Sequence, residues 1–193
     1  MSQRDSQRSK VYKAERNAGI QQSVYRKTAY GSVGNREIQP MTIEECQKMV
    51  DKILTSKYVQ RKYDSSGIIR WGKSIRVVAG KSGGMARDEW GVKTISLGIW
   101  GRQEFVVIHE VAHHLAGLHN KHNWRFCQVE LDLVRHFMGK EAHDSLKAEF
   151  KKLKVKFTAP RKKRELTPEQ RAILVERMAK AREAKARNQS SSS

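Results

Sequence analysis

Residues 105–126, FVVIHEVAHHLAGLHNKHNWRF, hold five of the chain's seven histidines, between His109 and His122. They include His-Glu-x-x-His at His109, Glu110 and His113. Residues four apart on a helix lie one turn above each other, so two imidazoles at that spacing can close on one metal ion. On a helix, His109, Glu110, His113 and His114 fall within an arc of about 140°, and Ile108, Val111, Ala112 and Leu115 take the far side. The spacing predicts a buried helix with one polar window. Glu110, rotated off the ligand row, suits a general base acting on water rather than a metal ligand.

A catalytic zinc site uses three protein ligands and keeps one position open. His122, separated from His113 by an eight-residue gap and just ahead of a new helix, is the favoured third ligand. His119 and Glu130 are the alternatives, with Cys127 a remote fourth. His119 has the metzincin distance from His113, but that pattern's glycine falls at Ala116, with Gly117 one place late. His114 reads as a packing or supporting residue, and His136 and His143 as helix-surface residues.

The elements that must position these groups follow from periodicity and punctuation. Residues 5–17 have helix-forming composition and stop before Gly19; 19–40 read as an irregular connection. Thr42 and Glu45 form a capping box for a helix running to about Lys57, with a stripe of Ile43, Cys46, Met49, Val50, Ile53 and Leu54. SIRVVAG (74–80) and KTISLG (93–98) read as strands joined by a glycine-rich loop, and IIRW (68–71) as a weaker third. The motif helix should start near Gly101 and stop at Gly117; Asn123 should cap the next, ended by Gly139. A further helix is expected over 140–153, and KVKF (154–157) as a short strand. Trp71, Trp90, Trp100 and Trp124 read as core or pocket wall, since they are not interleaved with basic residues.

The chain has 193 residues and a formal charge of +19, of which +10 falls in residues 151–193. Residues 1–157 are expected to form one domain and 158–193 a basic tail, partly helical and partly disordered. Its helix is capped by Thr167-Pro168-Glu169-Gln170, and AKAREAKAR within it has almost no apolar face. Such charge suggests a polyanionic partner, non-specific nucleic acid binding through 158–193. No run of 18 apolar residues and no signal-like N-terminus occurs, and Cys46 and Cys127 read as buried thiols. A cytoplasmic protein with no membrane span is therefore expected.

RDSQRSKVYKAE (4–15) and TISLGIWGRQEFVVIHEVAHHLAG (94–117) resemble the small metallohydrolases of actinobacteria and their phages. H-N-W-R-F (122–126) is similar to the H-G-x-x-F element of SprT-like metallopeptidases, whose histidine is the third zinc ligand; Asn123 replaces the glycine. The resemblance covers roughly residues 4–157 and implies an α+β, zincin-like metallopeptidase core. A small sheet would pack on the HExxH helix, and one edge strand would line the cleft. The expected activity is that of a Zn²⁺-dependent hydrolase acting on protein or peptide, with the 93–98 strand as the edge that pairs with substrate. The alternative is a nucleic-acid-binding protein in which the zinc is structural or vestigial.

Overall fold

Local capping and apolar spacing account for most of the helices. In the computed structural model, residues 5–20, 39–63, 75–81, 83–89, 91–160 and 167–190 are described. Among them the protein is α+β, with seven α-helices and a three-stranded mixed sheet. The helices before the sheet are α1 (Arg8–Asn17), α2 (Ile43–Thr55) and α3 (Lys57–Tyr63); β1 (Arg76–Ala79), β2 (Gly84–Glu89) and β3 (Val92–Leu97) follow. Next come α4 (Glu104–Ala116), α5 (Trp124–Phe137), α6 (Lys140–Lys152) and α7 (Pro168–Ser190). The expected strand at 68–71, Trp71, Trp90, most of the 19–40 connection and the last three serines lie outside the described residues.

The Thr42 capping box forms on both sides: Glu45 N–H donates to Thr42 Oγ1 and Thr42 N–H to Glu45 Oε2. Helix α2 ends at Thr55, earlier than expected, and Ser56 turns the chain into α3, which the apolar stripe did not announce. Asn123 caps α5 by accepting the N–H groups of Arg125 and Phe126. Gly117 and Gly139, at φ of 88° and 96°, occupy the helix-to-loop corners where a side chain would be strained.

The sheet order is β1-β3-β2, with β1 parallel and β2 antiparallel to β3. Register runs from Arg76 opposite Thr94 on one side and from Gly84 opposite Leu97 on the other. This corrects two expectations. The loop between the foreseen strands contains a strand of its own, β2, whose GMARDE sequence has no β-branched residue to signal it. The 93–98 segment is the central strand, paired on both sides, and not an edge; among the described residues the edges are β1 and β2.

The core sits where α4 packs between the sheet and helices α2 and α5. Ile108, Val111, Ile95, Leu97, Phe126 and Leu133 are buried there, each contributing about 1.5–3 kcal/mol. Helix α1 lies on α6, which in turn packs on α5. KVKF forms no strand; Val155 is buried and Lys154 takes φ 54°. His143, expected on the surface, is buried and hydrogen-bonded to Asp144. His136 is exposed and stacks on Tyr58. Cys46 and Cys127 are buried free thiols.

The chain divides into two units, Met1–Ala159 and Pro160–Ser193. In the second, Thr167 and Gln170 cap α7 reciprocally. Its first half leaves Ile173, Leu174, Val175 and Met178 exposed, an apolar group that the alanine- and arginine-rich second half does not foretell. No helix among the described residues is long and apolar enough to cross a membrane.

Candidate metal centre

Ten of the thirteen residues of α4 are buried, including His109, Glu110 and His114. Buried imidazoles need partners for both ring nitrogens, and the placement of those partners defines the site. His109 and His113, one turn apart on the helix, meet edge to face with ring centroids 4.9 Å apart. After Gly117 the chain makes a tight turn over Leu118–Asn120. Lys121 (φ 46°) then reverses it, returning His122 to within 4.8 Å of His113 and 5.4 Å of His109, centroid to centroid. One ligand nitrogen from each of the three lies within 4.8 Å of the others, so the group could hold a metal ion. Phe126 backs all three rings.

The far sides of two of these rings are fixed by carboxylates. His109 Nδ1 lies 2.9 Å from Glu130 Oε1 and 3.0 Å from Glu15 Oε1, and His122 Nδ1 lies 2.6 Å from Asp5 Oδ2. With Nδ1–H donating outward, each Nε2 keeps its lone pair for the centre. Both Nε2 atoms are buried without a hydrogen-bond partner among the described residues. That arrangement is costly unless another group occupies the space between them, and a metal ion fits the donor set. Glu15, His109 and Glu130 form a second buried group within metal-binding distance. There, however, Nδ1 serves as the proton donor between two acceptors, and one nitrogen cannot both donate and ligate.

Electrostatics follow from this geometry. Burial disfavours a charged His109, but Glu15 and Glu130 outweigh it and hold its pKa well above the usual value. Burial, then the neighbouring imidazoles, push His113 far down. Burial also lowers His122, against the pull of Asp5. Burial and the nearby Glu15 raise the Glu130 carboxyl. Glu110 is raised by burial, partly offset by His109 and by the Ala86 N–H it accepts. Its carboxylate fits against β2 because residue 84 is glycine: a Cβ there would collide with Glu110 Oε1 and meet Val106 Cγ1 at 2.9 Å. A cavity of about 390 Å³ opens beside it, walled by Gly84, Met85, Trp100, Phe105 and His109.

The other predicted site residues are placed as follows. His119 is exposed and bonded to Asn120, outside the cluster. Glu130, an alternative ligand, instead anchors His109 from behind. The Cys127 thiol is bonded to the His122 carbonyl, and burial raises its pKa, away from the thiolate a ligand needs. His114 supports β3, its Nε2 lying 3.1 Å from the Thr94 carbonyl. Asp5 and Glu15 were not foreseen. A sign was present for one of them: Glu15 stands four residues after Val11 in the stripe formed with Ala14, and all three are buried. Tyr12, edge-on to His122 at 5.0 Å, completes the α1 contribution. Compared with protein-family models, curated proteins and solved structures, the chain matches none.

Proposed function

We propose that the protein is a zinc-dependent hydrolase, a metallopeptidase with a zincin-like core, in which His109, His113 and His122 hold Zn²⁺ and Glu110 is the base. The observation that carries this reading is the pair of buried, partnerless Nε2 atoms on His109 and His122, with Glu110 held just outside the ligand set. Three nitrogen donors leave one of zinc's four positions open, as a catalytic site requires and a structural site does not. When bound at such a site, zinc polarises a carbonyl and lowers the pKa of water. Glu110 takes up the proton of the attacking water and delivers it to the leaving amine, a task that its raised pKa suits. The Ala86 N–H keeps that carboxyl facing the cleft. β2 is an edge strand among the described residues, a position at which an extended peptide can add to a sheet, and this favours a peptide over a small substrate.

The basic segment after Ala159 supports an accessory property, sequence-independent nucleic acid binding, and the reading of a nucleic-acid protein with a structural zinc rests on it alone. Glu110 counts against that second reading, because a structural site has no use for a carboxylate beside it. The test is zinc analysis with a casein-cleavage assay on wild type and Glu110→Gln. The variant should keep about one zinc per chain and lose cleavage. Loss of zinc in Glu110→Gln would make Glu110 a ligand and overturn the assignment.

A further inference from the structure

A second cavity, of about 460 Å³, lies on the Asp5 side of His122. Segments distant in sequence gather four lysines around it: Lys10, Lys121, Lys154 and Lys156. Its one acidic residue, Asp5, has both oxygens engaged, Oδ1 by the Arg8 N–H and Oδ2 by His122 Nδ1. The ammonium groups of Lys10, Lys154 and Lys156 make no salt bridge among the described residues. The half-buried indole of Trp124 forms part of the wall.

The basin is held together by specific bonds. Gln7 donates to the carbonyls of His122 and Lys156 and accepts the Lys156 N–H, tying three segments at one point. Lys121 and Lys154, at φ 46° and 54°, are the two non-glycine residues with positive φ among the described residues. Glycine or asparagine adopts that conformation more readily. Lysine at both turns sets a charge at the basin where turn chemistry alone would not choose one.

We infer that this basin binds single-stranded nucleic acid, with phosphates against the lysines and a base on the face of Trp124. Lysines alone would suit any polyanion. An aromatic side chain in the wall beside them, Trp124, suits a polyanion that carries flat rings, and only an unpaired strand exposes those rings for stacking. The inference is independent of the hydrolase reading and of the basic tail, since every residue it uses lies before Ala159.

The experiment uses the full chain and a fluorescein-labelled oligo(dT) of about twelve nucleotides, with anisotropy read across a salt series. The triple variant K10Q/K154Q/K156Q should flatten the log–log salt slope by about two relative to wild type, at roughly 0.7 for each phosphate no longer neutralised. Trp124→Leu should weaken binding about five- to a hundredfold. The tail is common to all three proteins and contributes equally. Zinc content should be unchanged in both variants, which separates this result from the fate of the metal reading. On wild type, the oligonucleotide should protect the four lysines from acetic anhydride, mapped by mass spectrometry, whether or not the variants fold. Unprotected lysines, or an unchanged slope in a folded triple variant, would overturn the proposal. So would tighter binding of a phosphoserine peptide than of the oligonucleotide.

Discussion

Asp5 and His122, 117 positions apart in the chain, meet at 2.6 Å, the carboxylate accepting the imidazole's Nδ1–H. The same helix that follows Asp5 brings Glu15 to His109. The candidate metal centre thus has its nitrogen atoms on α4 and the loop after it, and much of their support on α1 and the residues just before it.

The ligand assignment predicts that His113→Ala and His122→Ala abolish stoichiometric zinc while His119→Ala retains it. His119 is exposed and bonded to Asn120, whereas His122 turns its Nε2 inward. Zinc measured by plasma mass spectrometry on desalted protein checks this. Loss in His119→Ala alone would favour the metzincin geometry.

Supporting carboxylates should matter almost as much as ligands. Glu130→Gln and Asp5→Asn are each expected to weaken zinc affinity about 10- to 100-fold, because the imidazoles lose the partners that fix tautomer and orientation. Competition against a zinc chelator of known affinity gives the number. Unchanged affinity in both would reduce these contacts to packing.

Gly84→Ala should separate the proposed base from the metal. The added methyl displaces the Glu110 carboxylate and leaves the histidines alone. Cleavage should fall roughly a hundredfold, the scale of an ångström's misplacement, with zinc content intact. Gly101→Ala is different: its Cβ runs into the Gly83 backbone carbonyl, so that variant should lose thermal stability first.

His114 gives a pH signature. Burial, followed by the charge of Lys93, lowers its pKa from 6.5 to about 4, against the Thr94 carbonyl that favours the charged form. A histidine kept neutral in the fold contributes stability that is fully present above pH 6.5 and is lost as pH falls toward 4. Urea melts in the presence of chelator should therefore show a shallower decline across that window for His114→Gln than for wild type. Equal slopes would remove His114 from the account.

The tail prediction concerns residues 158–193 by themselves. Truncation to residues 1–157 should leave zinc content and far-UV circular dichroism per folded residue intact while reducing the salt dependence of duplex DNA binding. If the tail engages about five phosphates through lysine and arginine, the log–log slope should change by roughly 4 to 5 on truncation. Equal slopes in the two proteins would show the tail to be a solubilising extension.

What could be read from the sequence was local. His109, Glu110 and His113 sit within one turn and a half of helix, so spacing alone predicts their shared face. The caps at Thr42 and Asn123 are likewise contained within four residues. Strand β2 was hidden because GMARDE becomes a strand only through pairing with β3. Glu130 was visible as a metal-type residue, but ligand and anchor differ only in which nitrogen of His109 they face. The stripe of Val11, Ala14 and Glu15 marks a buried face of α1, but which residues that face and Asp5 meet depends on docking far along the chain, which no window of sequence reports.

Because the supports on α1 and just before it precede the imidazoles in the chain, translation makes them in that order. Asp5 and Glu15 leave the ribosome while His109, His122 and Glu130 are still unmade. The nascent N-terminal segment has no histidine partner to close upon, and the centre can form only after α5 has emerged. Loading of the proposed ion would thereby be a late step in biogenesis, and a chain cut short before Glu130 would be unable to complete the site.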